Sequence, residues 1–198
     1  MKIFFLTSLL FITDQFSKLL VRGFSLPWFD ITHNGLEIGE SKPLINDFFH
    51  ITLVENPGIA FGIVPGDFLK DVILVLTIIL CFGFLGFLIF AKNADRKVRL
   101  AIALILAGAV GNLFDRIFYG YFYKYGTLFN GNVVDFLDLK IFNFSQISSF
   151  AGSYVFNFAD ISITAGIMML IYLILKLKKE DNEKVLTQRI AEERKDTF

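Results

Sequence analysis

The chain has 198 residues, 55% of them hydrophobic, with a mean hydropathy of +0.60 and a formal net charge of zero. That apolar load is too high for a water-soluble domain, and the length leaves room for several spans with loops between them. A chain without net positive charge offers nucleic acid no basic face, so no nucleic-acid partner is expected.

Four apolar stretches predict a polytopic α-helical membrane protein: four transmembrane helices with a small β-sheet in the outer loops. The first span covers 3–21. Lys2 ahead of an apolar run is also how a signal peptide starts, but Asp14 and Lys18 interrupt the run and no small-residue cleavage site follows, so it reads as a retained helix. The outer loop 22–70 contains Pro27, Pro43, Pro57 and Pro65, which argues against a long helix there. Within it, 49–54 and 60–64 read as short strands around the Asn56-Pro57-Gly58 turn.

The second span, 72–91, has no charged residue, and its Cys81 reads as a small packing side chain. As the single cysteine, Cys81 excludes a disulfide within the chain. The third span covers 100–118. The outer loop 119–155 opens with Tyr119, Tyr121, Phe122, Tyr123 and Tyr125, amphipathic rings suited to the headgroup layer. The fourth span, 156–175, closes a membrane unit of residues 1–175. Beyond it, 176–198 mixes seven basic with six acidic residues and reads as a solvated helix or a disordered tail.

Orientation follows from the basic residues. Lys92, Arg96, Lys97 and Arg99 crowd the connection 92–99, and the tail holds seven more, whereas the two outer loops together hold only Arg22, Lys42, Lys70, Lys124 and Lys140. The excess of Lys and Arg places that connection, the tail and both termini in the cytoplasm.

Polar residues inside spans are costly and usually face an interior site. With the helical rise, Asp14 lies ~18 Å from Lys2, Asn112 and Asp115 lie ~20 and ~24 Å from Arg99, and Asp160 lies ~24 Å from Lys176, which puts all four in one half of the bilayer. They also form stripes at three- and four-residue spacing: Asp14 with Lys18; Gly108, Asn112, Asp115 and Arg116; Asn157, Asp160 and Thr164. Gly108 and Gly111 would let another backbone approach at that level.

Asp135 lies outside the spans, in the apolar, strand-like run Val133-Val134-Asp135-Phe136-Leu137, and is placed to fold down beside Asp160 at the head of the fourth helix. Two carboxylates sharing a low-dielectric site hold one proton between them; the ionised member serves as base toward a water and the protonated one as acid. Such a pair needs no cofactor or metal. Other hydrolytic constellations are poorly supplied: His33 and His50 both sit in the outer loop, and neither Gly-x-Ser-x-Gly nor His-Glu-x-x-His occurs. Read from the residues alone, Asp14 and Asp115 are pairing partners that hold helices together, and Asn112, Arg116 and Asn157 are either interhelical hydrogen-bond formers or site residues. Asp138 rivals Asp135. Catalysis and ion binding both remain open for Asp135 with Asp160, the latter as a small transporter relaying protons or cations through Asp14, Asp115 and Asp160.

Five blocks in order carry a resemblance: Asp14-Gln-Phe-Ser-Lys18; Glu55-Asn56-Pro57-Gly58-Ile-Ala60-Phe61-Gly62; Gly108-Ala-Val-Gly111-Asn112-Leu-Phe-Asp115-Arg116; Val133-Val134-Asp135-Phe136; and Phe156-Asn157-Phe-Ala159-Asp160. Together on a four-helix layout they resemble the lipoprotein signal peptidases (signal peptidase II), intramembrane aspartic proteases. The resemblance implies Asp135 and Asp160 as the catalytic dyad. It makes Asn56, Gly58, Asn112, Arg116, Asn157, Asp115, Asp14 and Lys18 substrate-binding or supporting residues. It also implies lipid-modified prolipoproteins as substrates, cut before the lipidated cysteine, by a monomer among membrane lipids at the outer face of the bacterial cytoplasmic (inner) membrane. The sheet around 56–62 would hold the substrate strand by edge pairing. Ala107 stands where the family commonly has glycine, and the segments 120–132 and 138–155 look longer than usual, an expected change to the lid over the site.

Overall fold

The computed structural model describes residues 2–45, 48–58, 66–140 and 154–195. Among them are four helices long and apolar enough to cross a membrane: α1 (Lys2–Arg22), α2 (Asp67–Phe90), α3 (Arg96–Phe122) and α4 (Phe158–Lys195). Six short strands complete the architecture: β1 (Phe24–Leu26), β2 (Ile31–His33), β3 (Ser41–Ile45), β4 (Phe49–Asn56), β5 (Val133–Leu139) and β6 (Tyr154–Phe156).

The helix ends differ from where hydropathy alone sets them. α2 begins at Asp67, because Lys70 and Asp71 add a charged first turn ahead of the apolar run. α4 begins only at Phe158, since Phe156 is spent on β6. The charged stretch after Leu175 continues α4 without a break to Lys195, so over the described residues it is a helix and not a disordered tail.

α3 is the axle. α1, α2 and α4 all pack on it, α4 most extensively. Its small residues explain why: Ala101, Ala103, Ala107, Gly108 and Gly111 are buried and let neighbouring backbones close in. A Cβ on Gly108 would strike the Ala159 carbonyl oxygen, and one on Gly111 would lie 2.6 Å from Asp14 Oδ2. α2 packs on α3 alone to any extent, with Cys81 buried beside Leu88, Ile102, Ala103 and Leu106. The rest of α2 is a bare apolar flank.

An antiparallel sheet of order β3-β4-β5-β6 sits on the ends of α1 and α3. β5 is buried from Val133 to Asp138, and Leu53, Val134, Phe136 and Leu137 form a core with Tyr119 of α3. Val54 lies opposite Asp135 in the register, after a shift between Ile51 and Val54. The strand expected at 49–54 is thus present and longer; the one at 60–64 lies outside the described residues. Because β4 is paired on both sides over Phe49–Ile51 and with β3 through Thr52, its Val54–Asn56 end is the part left for edge pairing among the described residues.

The tyrosine run is not a uniform belt. α3 extends through Phe122, which sets Tyr119 and Tyr123 one turn apart on the inner side. Tyr119 is buried and Tyr123 donates its hydroxyl proton to Gly23 O at 2.8 Å, while Tyr121, Phe122 and Tyr125 stay exposed. The loop that follows folds back on α3: Phe129 N donates to Ile117 O and Gly131 N to Arg116 O, both at 2.9 Å. It satisfies carbonyls at the helix end. The segment 120–132 therefore folds back to cap α3; 141–153 lies outside the described residues.

Candidate active site

The head of α4 is closed by a reciprocal pair of hydrogen bonds. Asn157 Oδ1 accepts from Asp160 N at 2.9 Å, and Asp160 Oδ2 accepts from Asn157 N at 3.2 Å. This is a capping box with aspartate in the place usually held by glutamate or glutamine, and it fixes Asp160 at the third helical position. The adjacent free N–H, that of Ala159, donates to Asp14 Oδ1 of α1 at 2.9 Å. Asp160 Oδ1 accepts from Asn112 Nδ2 of α3 at 2.8 Å.

Asp135 comes down from β5 onto the same cap. Asn157 Nδ2 donates to Asp135 Oδ1 at 2.7 Å, so one asparagine holds both aspartates, one by its side chain and the other by its backbone. Asn56 Nδ2 donates to Asp135 Oδ2 at 3.0 Å. The Asn56 side chain is itself aimed by Gly58, whose N–H donates to Asn56 Oδ1 at 2.9 Å and whose φ of +115° suits only glycine. Asp135 is 3% exposed, and its carboxyl is pushed up to about 7. Burial is the main cause and the neighbouring Asp160 carboxylate the next, against the hydrogen bonds from Asn56 and Asn157.

Beneath the pair lies a buried ion cluster centred on Lys18. Its ammonium pairs with Asp14 Oδ2 at 2.8 Å and Asp115 Oδ2 at 2.7 Å, and donates to Asn112 Oδ1 at 3.0 Å. Each partner reaches one part of the site. Asp14 holds the α4 terminus through Ala159, Asn112 holds Asp160, and Asp115 Oδ2 accepts from Val134 N at 3.2 Å, next to Asp135. Removing the three charges of Lys18, Asp14 and Asp115 from water is costly, and the full set of hydrogen bonds around Lys18 is what offsets it.

Arg116 stands apart. Its guanidinium lies within electrostatic reach of Asp135 and Asp160, and its buried Nε has no hydrogen-bond partner among the described residues. Asp138 is not brought to the pair. Three residues beyond Asp135 on a strand it faces the other way, and it accepts from Thr52 Oγ1 at 2.7 Å. Asp14 and Asp115 are both closed onto Lys18, and among the described residues neither bonds the Asp160 carboxylate directly.

Sequence reasoning passed over Gln15 and Tyr119. Gln15 Nε2 donates to Asp115 Oδ1 at 2.9 Å, and Gln15 Oε1 accepts from the Tyr119 hydroxyl at 3.1 Å. A polar residue beside Asp14 in an apolar span, and a tyrosine one turn after Asp115, were the available signals. Arg22 and Glu55 were also missed: they pair at 2.7 Å, with the guanidinium 4.5 Å from the centre of the Tyr123 ring, and so brace the residue before Asn56.

Residues 6–176 match the family model described as signal peptidase (SPase) II. The chain belongs to the signal peptidase II family. That membership makes it a membrane endopeptidase of the aspartic class. It is 34% identical over 170 residues to the lipoprotein signal peptidase of Desulfitobacterium hafniense, with 86% of this chain and 91% of the relative covered. The lipoprotein signal peptidase of Fusobacterium nucleatum is 37% identical over 151 residues, covering 72% of this chain and 76% of that one. A solved structure described as a bacterial membrane enzyme, determined by the in meso method, superposes with a TM-score of 0.64 at 30% identity, covering 88% of this chain and 93% of the other. For this family member, the ion-relay reading gives way to proteolysis.

Proposed function

We propose that Asp135 and Asp160 are the catalytic dyad and that they hydrolyse the peptide bond preceding a diacylglyceryl-modified cysteine in bacterial prolipoproteins. The observation that carries this is Asn157 bonding both carboxylates at once, with Asn56 and Asn112 donating to their remaining oxygens. Four fixed donors hold the two carboxylates in place within electrostatic reach of each other, the condition under which a buried pair shares a proton. Burial pushes the Asp135 carboxyl up, so the proton the pair shares is assigned to Asp135, with Asp160 in the role of base. Asp160 removes a proton from water as its oxygen attacks the scissile carbonyl carbon, and Asp135 donates its own to the carbonyl oxygen. The tetrahedral carbon then collapses: one of its two hydroxyls returns a proton to Asp135 as the C=O bond re-forms, the C–N bond breaks, and the proton held on Asp160 passes to the leaving amine, which restores the starting pair. The pair titrates as a unit. Arg116, charged and unpartnered at Nε among the described residues, serves substrate backbone carbonyls or the lipid ester oxygens.

The Lys and Arg distribution supports both termini in the cytoplasm and the sheet and dyad at the outer face of the cytoplasmic membrane. In this reading residues 1–175 form the protease unit and 176–198 a charged cytoplasmic extension. The enzyme works as a monomer among membrane lipids, without nucleic acid. The test is digestion of a prolipoprotein with and without diacylglyceryl on its cysteine, followed by mass spectrometry of the products. Cleavage only before the modified cysteine is expected; equal cleavage of both forms would remove the lipid from the substrate definition.

A further inference from the structure

We propose that the β1–β2 hairpin is a membrane-surface anchor that lays one face and its tip into the interfacial layer of the leaflet on the sheet side. Its partner is lipid, and the proposal is independent of the reaction performed by Asp135 and Asp160.

The hairpin is two-faced. The register pairs Phe24 with His33, Ser25 with Thr32 and Leu26 with Ile31, so the strand alternation gathers Leu26 and Ile31 on one face and the two hydroxyls on the other. Ser25 Oγ and Thr32 Oγ1 are hydrogen-bonded at 3.2 Å across that second face. A turn of 3-10 helix, Pro27–Phe29, joins the strands and carries the most exposed aromatic side chains near the sheet: Trp28 is 95% and Phe29 74% exposed. Leu26 and Ile31 are each nearly half exposed. Asp30 is the sole acidic or basic residue other than His33 between Phe24 and His33.

A two-stranded hairpin in water is marginal without a third strand or a packing partner. This one is a sheet of its own, apart from the four-stranded one. Yet it is firmly placed. His33 Nε2 donates to Leu20 O at 2.8 Å, Leu36 N donates to Val21 O at 2.8 Å, and Gly35 lies so close to Arg22 and Gly23 that a Cβ there would collide with their backbones. A rigid hairpin with bare Trp and Phe at its tip needs a covering surface. The geometry identifies it by continuity: the flank of α1 that bares Phe16, 61% exposed, and Leu20, 45% exposed, faces lipid, and His33, which shares the Leu26/Ile31 face of the hairpin, bonds the Leu20 carbonyl and so brings that face to the end of the flank. Tryptophan, apolar in body with one polar N–H, is suited to the layer where acyl chain meets headgroup. The anchor would hold the end of α1, and with it Arg22 and the Glu55–Asn56 end of β4, at a fixed height in the membrane.

Trp28 is the chain's single tryptophan, so intrinsic fluorescence reads the hairpin without labelling. The full chain is reconstituted into phosphatidylethanolamine/phosphatidylglycerol vesicles containing lipids spin-labelled either near the ester or near the methyl end of the acyl chain, with iodide as the aqueous quencher. Quenching should be strongest by the ester-proximal label, weaker by the deep label and weakest by iodide. In a Trp28→Phe background, Leu26→Trp should be quenched by the shallow lipid label and Ser25→Trp by iodide, which tests the face and not just the tip. Free access of iodide to Trp28 with no lipid quenching overturns the proposal. So does protection that rises with protein-to-lipid ratio, which would mean a second copy covers the tip.

Discussion

Lys18 shows how one side chain can organise a site it does not enter. Its three partners, Asp14, Asn112 and Asp115, each hold a different part of the dyad's frame. Replacing it by methionine leaves Asp14 and Asp115 buried without a counter-charge, a change that costs about 3–5 kcal/mol in comparable buried pairs. Lys18→Met should therefore lower the midpoint of thermal unfolding in detergent by many degrees and abolish activity, whereas an unchanged midpoint would mean the cluster is hydrated. The i,i+4 spacing made Asp14–Lys18 legible in the sequence, but the reach to Asn112 and Asp115 was not, because it depends on how far α1 slides along α3. Asn157 teaches the converse. Its spacing to Asp160 suggested a shared helix stripe, yet Asn157 is the cap and stands before the helix, a local signal of Asn followed three residues later by Asp. A pH profile tests the protonated state of the pair. With the Asp135 carboxyl pushed up to about 7, the proton that the pair needs is lost as pH rises through that value. kcat/KM should fall on the alkaline side of about pH 7. The sign for stability is the same, since a carboxyl held above its unfolded value favours the fold when protonated and that contribution is lost as pH rises toward 7. A rate constant flat from pH 6 to 9 would contradict the assignment.

Helix α3 owes its central place to small residues, and a single methyl group should show it. Gly108→Ala puts a Cβ against the Ala159 carbonyl, one residue from Asp160, and must push α4 away from α3. Overpacking of this kind costs about 1–3 kcal/mol. The expected outcome is a lower unfolding midpoint together with a fall in kcat, while Gly83→Ala on α2, whose Cβ would meet nothing, leaves both alone. Equal behaviour of the two variants would mean that the α3–α4 contact is not as tight as described. The number of helices, their order and the Gly108/Gly111 contact were readable from hydropathy and spacing. Their ends were not, because hydropathy is blind to a charged first turn on α2 and to the cap before α4. The tyrosine run misled for a related reason: it was read as loop, and the continuation of α3 turned Tyr119 inward to Gln15.

Seen as one molecule, the chain divides into a tight assembly of α1, α3, α4 and β5 that holds the dyad, an α2 that leans on α3 alone, and an α4 that continues well past the apolar span. If the proposed function holds, a substrate's own apolar helix would enter from lipid along α2, the side where the helices pack least. Among the described residues the ion pairs and side-chain hydrogen bonds of the α4 extension stay within it, so a chain ending at Lys179 should cleave as well as the full one in the same assay. The sheet's position over the helix ends was legible only as a surface sheet, since strand order depends on contacts between residues some eighty positions apart, such as Val54 with Asp135. The account as a whole rests on two aspartates acting as a pair. The decisive measurement is the cleavage rate of a diacylglyceryl-modified prolipoprotein by the wild-type chain, Asp135→Asn and Asp160→Asn, each first shown by circular dichroism and thermal unfolding to be folded. The dyad predicts that both variants stay folded and that neither cuts; normal cleavage by either folded variant would contradict it.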